Sequence, residues 1–198
     1  MEAYLWFAAF LVLGVTVLIK IFKPDQKDRD MLGLKNDGLG SSKNVAAQDT
    51  TYTSMSTPKL IKALLRDMNC EYNIDENGTI VVKYQGETFC LQAHDDSSWL
   101  VIWDYAWLSV SSDNLEEISC LQRAINVSNT KEFCTAVYSI DTENKELTVH
   151  SNWSGIIIPG MSGMKEYLTV VFGFFFQQHQ FLLAEFNKEK VKMGLEIQ

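Results

Sequence analysis

Two long apolar stretches constrain the fold of this 198-residue chain more than any other feature. The first is uncharged from Ala3 to Ile19, and the ammonium of Lys20 can reach back to the lipid surface, which extends the stretch through Phe22. A helix needs about 20 residues to cross ~30 Å of hydrocarbon, so this stretch is just long enough. We therefore predict a transmembrane anchor at residues 1–23 that contacts the membrane through residues 3–22.

The residues around this stretch favour an uncleaved anchor over a cleaved signal peptide. The chain starts with Met1-Glu2 rather than with a cation, and the stretch ends in "VLIKIFKPD", without the small residues that precede a cleavage site. Lys and Arg side chains follow the stretch and none precedes it, so the positive-inside rule places residues 24–198 in the cytoplasm. Residues 24–56 are rich in Gly, Ser, Asn and Asp, and they predict a flexible linker to a domain at residues 57–198.

The second stretch, "YLTVVFGFFFQQHQFLLAEF", is predicted to be the last helix of a soluble fold. Its centre, residues 177–180, reads Gln-Gln-His-Gln, and these polar side chains would be costly at the middle of a bilayer. At helical spacing, one face is apolar while Gln177 and Gln178 fall elsewhere; that face consists of Tyr167, Leu168, Val171, Phe175, Leu182 and Phe186. Three further phenylalanines exceed what one sheet face needs, so we expect a partner to contact Phe172, Phe174 and Phe176.

The middle of the predicted domain alternates strand-like runs with turn signals. A first helix is expected at about 58–69 and a second one ending near Asn129. Between them, "CEYNI", "TIVVKY", "ETFCLQA" and "WLVIWDYAWLSV" predict a three-stranded meander, and after them "EFCTAVYSI" and "ELTVHSNWSGIII" predict a hairpin. We predict an α+β fold with an antiparallel sheet of about five strands, in the order α-βββ-α-ββ-α.

Polar residues next to the apolar runs mark where the helices are expected to begin. Thr57 precedes Pro58, an arrangement typical of the first turn of a helix. Asp113 is the predicted N-cap of the second helix, with Glu116 completing a capping box. Ser162 is the cap candidate for the last helix.

The run "WLVIWDYAWLSV" is apolar on both sides and predicts a central strand that is covered on both faces, or covered on one face and paired with another chain. Strand alternation would place Trp99, Trp103 and Trp107 on one face. There they could line a ligand pocket or a peptide groove, or they could belong to the core, and we favour the core. Asp104 interrupts the run. Buried, it would need a partner or have a raised pKa, and we favour a bulge or an exposed edge instead.

Net charge argues against nucleic acid as a partner. Residues 57–198 hold 11 Lys and Arg side chains against 19 Asp and Glu, so they carry the whole formal charge of −8. Such a domain would repel phosphate backbones, and no basic stripe reverses that effect.

The cysteines leave two compartments open. Cys70, Cys90, Cys120 and Cys134 include no Cys-x-x-Cys pair, which argues against a zinc knuckle or a thioredoxin motif. We favour four reduced thiols in a cytosolic domain, and the alternative is two disulfides in an extracytoplasmic domain.

Catalytic motifs are missing from the sequence. No phosphate-binding loop, nucleophile elbow or His-Glu-x-x-His helix occurs. "His94-Asp95-Asp96" could seed a metal or acid–base site, although this tripeptide is more typical of a polar turn between strands. We expect no enzyme, no cofactor and no metal site.

The order of elements, together with "CLQRAINVSNTKEFCTAVYSIDTENKELTVHSNW", resembles the YbjN-like (bacterial sensory transduction regulator) family over about residues 57–190. The fold of that family is the one of type III secretion chaperones. The resemblance implies a non-enzymatic, often dimeric protein-binding module, with no catalytic residues to carry over.

Taken with the anchor, these features predict a membrane-tethered, chaperone- or scaffold-like module that binds another protein or itself. We expect the contact surface to include Trp99, Trp103, Trp107, Phe172, Phe174 and Phe176. One alternative is an enzyme or a small-ligand or metal-binding domain that uses the region around His94. The other is an extracytoplasmic domain of reversed topology.

Overall fold

The computed structural model describes Tyr52 and residues 54–196. The predicted anchor lies outside these residues, as does nearly all of the predicted linker. In the described part the chain forms three helices and six strands: α1 (Thr57–Asp67), β1 (Tyr72–Ile74), β2 (Ile80–Tyr84), β3 (Glu87–Ala93), β4 (Trp99–Ser111), α2 (Leu115–Asn129), β5 (Thr135–Asp141), β6 (Glu146–Ile156) and α3 (Met164–Lys192). None of the helices in this part of the chain is long and apolar enough to cross a membrane.

The six strands form one antiparallel sheet in the order β1-β2-β3-β4-β6-β5. The predicted α+β class and the antiparallel pairing are confirmed. The predicted meander has one strand more than expected, because each of the four runs before α2 forms a strand of its own. The extra strand, β1, has three residues and is joined to β2 by a turn at Asp75–Gly78, in which Gly78 has φ 83°.

All three helices pack on the same side of the sheet, over two apolar clusters. The first lies between α1, the first half of α3 and β2–β4, and includes Leu60, Leu64, Val82, Phe89, Ile102 and Phe175. The second lies between α2, the second half of α3 and β4–β6, and includes Leu121, Ile125, Leu147, Val149, Leu182 and Phe186. The long helix α3 therefore joins two cores that α1 and α2 close separately.

The predicted helix starts are each displaced by one residue. Ser56 is the N-cap of α1, and the hydroxyl of Thr57 instead donates a hydrogen bond to the carbonyl of Ser97, beside β4. Asn114 caps α2, because its Oδ1 accepts from the N–H of Glu117 at 3.1 Å. The helix α3 begins after Gly163, whose φ of 73° suits a glycine.

The side chain of Asp113, the predicted cap of α2, has another partner. Its Oδ2 lies 3.0 Å from Nζ of Lys145, in the turn between β5 and β6. Both side chains are about two-thirds exposed, so this ion pair lies at the surface. Asp113 therefore joins the start of α2 to the β5–β6 turn rather than capping the helix.

The predicted apolar face of α3 is confirmed for Leu168, Val171, Phe175, Leu182 and Phe186, which are buried. The prediction was wrong for Gln178, which is fully buried. Its amide Nε2 donates to the carbonyl of Cys134 at 2.7 Å, and this bond offsets part of the cost of burying an amide. The polar centre of the second apolar stretch thus packs inside the domain.

Candidate functional site

The two sides of β4 have different environments. Leu100, Ile102 and Asp104 face the helices and are buried, whereas Trp99 and Trp103 point to the other side of the sheet. No helix in the described part of the chain covers that other side, because all three pack into the two clusters. We call it the open face. From β3 to β5 it consists of Thr88, Cys90, Gln92, Trp99, Val101, Trp103, Tyr105, Ser109, Ser111, Glu146, Thr148, His150, Asn152, Ser154, Ile156, Thr135, Val137, Ser139 and Asp141.

Aromatic rings occupy the centre of the open face. The rings of Trp103 and Tyr105 stack with centroids 5.3 Å apart and an interplanar angle of 7°. The rings of Tyr105 and His150 meet in a T-shaped arrangement, with centroids 5.6 Å apart. At one end of the face, Trp99 and Ile156 are paired in register and are 48% and 52% exposed. Side chains of this size and exposure are typical of surfaces that bind other proteins.

A β-bulge fixes the rings at this centre. The register of β4 with β6 shifts between Asp104 and Leu108, where Ala106 has φ 54°. The N–H of Ala106 donates to Nδ1 of His150 at 3.0 Å. Because Nδ1 accepts, the proton of the neutral ring lies on Nε2 and is donated to Oγ of Ser139, 2.8 Å away. Burial lowers the pKa of His150, which also favours the neutral ring that the bulge requires.

The same bulge places Trp107 on the opposite side of the sheet from Trp99 and Trp103. Its ring stacks on His179 with centroids 3.9 Å apart, and its indole N–H donates to Oγ of buried Ser151 at 2.9 Å. The prediction of one face for all three tryptophans was therefore wrong. Strict alternation fails here because the bulge inserts a residue into β4.

Asp104 is buried directly beneath the open face, with 2% of its surface exposed. The predicted bulge is present next to it, but the exposed edge that we also favoured is not. Oδ2 of Asp104 lies 3.4 Å from Nε2 of His179 on α3. Burial, with a smaller effect of Glu87, raises the pKa of Asp104 to about 7. Burial lowers the pKa of His179 to about 4. The fold therefore favours a protonated carboxyl beside a neutral imidazole, at the boundary of the two cores.

The three phenylalanines predicted to contact a partner lie within the helix layer. Phe172 is fully buried and stacks on Tyr84 and Phe89, with centroids 4.8 Å and 4.9 Å away. Phe176 is partly buried near the same two rings. Phe174 stacks on Phe133 at 4.5 Å, and Phe133 is exposed. The structure therefore separates these residues from Trp99 and Trp103.

The residues considered for metal or acid–base chemistry lie in a turn rather than within a strand. His94, Asp95 and Asp96 are exposed in the turn between β3 and β4. Within the residues that the structure describes, no group of three or more His, Cys, Asp or Glu side chains could hold a metal ion.

All four cysteines are free thiols in the structure. Cys120 and Cys134 are buried, and burial raises the pKa of Cys134 to about 12, which suppresses its reactivity. Cys70 and Cys90 are partly exposed, but in different places. Cys90 lies opposite Trp103 on the open face, whereas Cys70 follows α1 and packs at the margin of the first cluster.

Two parts of the open face were missed by sequence reasoning. His150 was considered only as an isolated histidine, and Ile156 was not singled out. The alternation in "ELTVHSNWSGI" contains the signal, because every second residue from Thr148 to Ile156 faces the open side. What the alternation does not give is the strand order, which places β6 directly beside the aromatic residues of β4.

No protein-family model matches the sequence, and no curated protein matches it. Among solved structures, the chain is similar to the crystal structure of YbjN, a proposed transcription regulator from E. coli. The TM-score is 0.44 and the sequence identity is 10%, over 68% of this chain and 92% of that one. No residue role is transferred to this chain from that likeness.

Proposed function

We propose that this chain is a non-enzymatic, chaperone- or scaffold-like protein-binding module of the YbjN-like type, whose contact surface is the open face. In this proposal residues 3–22 anchor it in a membrane and residues 24–198 lie in the cytoplasm. The partner is another protein or a second copy of the chain, and the acidic charge of the domain argues against nucleic acid.

The observation that carries the proposal is the exposed aromatic centre of the open face. An antiparallel sheet with one solvated side normally alternates apolar residues towards the core with polar residues towards water. Here β4 turns Trp99, Val101, Trp103 and Tyr105 away from the core. These side chains contribute nothing to either apolar cluster, so burial against a partner accounts for their presence.

The location of the perturbed acid and base supports a non-enzymatic role. Asp104 and His179 have strongly shifted pKa values, which often mark a catalytic site. Both are buried between the sheet and α3, and Trp107 covers the ring of His179. A substrate in solution has no contact with either group, so their shifts reflect burial in the core.

Site-specific photo-crosslinking in cells that produce the full chain tests the proposal. A photoreactive residue is placed at Ile156 on the open face or at Val170 on the outer side of α3. These positions are matched, because Ile156 is 52% and Val170 is 53% exposed. We expect defined protein adducts from position 156 and few from position 170. No adduct at position 156, or the same adducts at both positions, would contradict the proposal.

A further inference from the structure

We propose that protonation of His150 releases the β-bulge of β4 and separates the stacked rings of Trp103 and Tyr105, so that the open face loses its partner in acid. The inference rests on the proposed function, because it names a regulation of the same surface. It follows from the hydrogen bonds of one imidazole, from the backbone of the bulge and from the groups that surround both.

The bulge is held by a hydrogen bond that only a neutral histidine can accept. The backbone N–H of Ala106 donates to Nδ1 of His150 at 3.0 Å. A backbone N–H is always a donor, so this bond needs an Nδ1 without a proton. Protonation would place two donors opposite each other at this distance. The bond between Nε2 and Oγ of Ser139, at 2.8 Å, is compatible with both states of the ring. The ring therefore stays in place, and Ala106 has to move.

The backbone of the bulge favours a different conformation once that bond is lost. Ala106 has φ 54°, in the left-handed region that is unfavourable for an alanine. Without its acceptor, Ala106 can relax to a negative φ. The next residue, Trp107, is held beneath the sheet by its stacking on His179. The movement therefore affects Tyr105, whose ring stacks on that of Trp103.

Among the residues that the structure describes, none next to His150 on the open face offers a charge that would compensate for its protonation. Its neighbours on this face belong to β4, β5 and β6, and they are Trp103, Tyr105, Val137, Ser139, Thr148 and Asn152. The carboxylates of Asp141 and Glu146 lie farther along, at the end of the β5–β6 hairpin. On β3, burial raises the pKa of the Cys90 thiol, which keeps it neutral. An imidazolium at His150 would thus have no partner for its Nδ1 proton.

The groups on the covered side of the bulge have their own protonation states in mild acid. The pKa of Asp104 is about 7 and that of His179 is about 4, so below neutral pH the first is largely protonated and the second is neutral. Burial lowers the pKa of His150 from its ordinary value of 6.5. The closed bulge therefore binds this proton less readily than an open one, and acid shifts the equilibrium towards the open form.

Near-ultraviolet circular dichroism of the purified full chain, in a mild detergent between about pH 8 and 5, tests the opening of the bulge. We expect the wild type to lose the signal of the stacked rings with a midpoint below 6.5. His94→Asn, which changes an exposed histidine of a turn, should behave in the same way. His150→Asn should keep the signal throughout, because Oδ1 of Asn can accept from Ala106 and does not titrate. His150→Leu has no acceptor and should lack the signal at every pH.

Three results of this titration would overturn the inference. One is a wild-type chain without a transition, and another is a transition that His150→Asn retains at the wild-type midpoint. The third is a loss of far-ultraviolet signal at the same midpoint, which would mean that the whole fold responds rather than the bulge.

Photo-crosslinking from position 156 at about pH 8 and 5, in membranes of cells that produce the full chain, separates the inference from the proposed function. We expect several-fold fewer adducts at the lower pH for the wild type and equal amounts for His150→Asn. Equal amounts for the wild type would leave the binding function standing and overturn its regulation by His150. If no adduct forms at either pH, the proposed function is contradicted, while circular dichroism still confirms or overturns the opening of the bulge.

Discussion

Both faces of the sheet carry large apolar and aromatic side chains, but only those on the covered face are buried within the chain. On the covered face, Phe89 and Ile102 are fully buried beneath α1 and α3. On the open face, Trp99 and Tyr105 of β4 are each 48% exposed. Both sets of residues look equally hydrophobic in the sequence. Large apolar side chains on a strand of this sheet therefore stabilise the fold mainly where a helix covers them.

Removing a ring from each face gives the largest expected contrast. Phe172→Ala should lower the free energy of unfolding by about 3–5 kcal/mol, since Phe172 is fully buried against Tyr84 and Phe89 and leaves a cavity. Tyr105→Ala should cost about 1 kcal/mol or less in the single chain, because half of this ring already meets water. Urea unfolding at low protein concentration measures both, and equal losses would show that the open face belongs to the core.

The buried pair beneath the open face predicts a pH dependence with a definite sign. The pKa of the Asp104 carboxyl is about 7 in the folded chain, against an ordinary value of 3.8. Between these values the folded chain holds a proton that the unfolded chain has released, so Asp104 alone would make the free energy of unfolding fall as pH rises. The imidazole of His179 has a folded pKa of about 4 and an ordinary value of 6.5, so alone it would make stability rise over that interval. Between pH 4 and 6.5 the two effects oppose each other, since the pair holds one proton in both the folded and the unfolded chain.

Asp104→Asn should therefore expose the effect of His179. The free energy of unfolding of this variant, relative to that of the double variant Asp104→Asn/His179→Gln, should rise with pH between about 4 and 6.5, by up to ~1.4 kcal/mol per pH unit. Urea unfolding of the two variants at several pH values measures this difference, which isolates His179 because both variants lack the carboxyl of Asp104. A constant difference across the interval would mean that His179 titrates normally in the folded chain.

The N-cap of α2 predicts a smaller loss of stability than the Phe172→Ala substitution above. Asn114→Ala should lower the free energy of unfolding by about 1 kcal/mol, because the N–H of Glu117 loses its acceptor at the start of α2. Asp113→Ala should cost less than about 0.5 kcal/mol, since its ion pair with Lys145 is exposed. Thermal melts of the two variants compare their losses of stability. A larger loss for Asp113→Ala would show that Asp113, and not Asn114, caps α2.

Much of the fold could be predicted from the sequence, because local patterns determine it. Helical spacing identified the buried side of α3, and turn signals separated the strands. The placement of Trp107 was not predicted, although a bulge near Asp104 was, because the alternation of β4 does not reveal at which residue the side chains change face. The burial of Gln178 could not be predicted either, since its partner is the carbonyl of Cys134, 44 residues away in the chain.

The candidate site was only partly visible in the sequence, for a related reason. Trp99 and Trp103 were identified, but the face they share with His150 and Ile156 arises only when β6 pairs with β4. Phe172 was assigned to a contact surface because α3 carries more phenylalanine than one sheet face needs. The structure accounts for that excess through rings on β2 and β3 that pack on α3. Which side of a sheet is left uncovered follows from how the helices pack, and no local pattern encodes it.

The reactivity of two native thiols tests most directly whether the open face is a binding surface. Cys90 lies on that face and Cys70 does not, and both are partly exposed. We predict that Ile156→Glu speeds maleimide labelling of Cys90 several-fold in native membranes of cells that produce the full chain, and leaves Cys70 unchanged. Val170→Glu should change neither rate. If Cys90 reacts at the same rate in all three chains, the open face is already free in the cell and the account is contradicted.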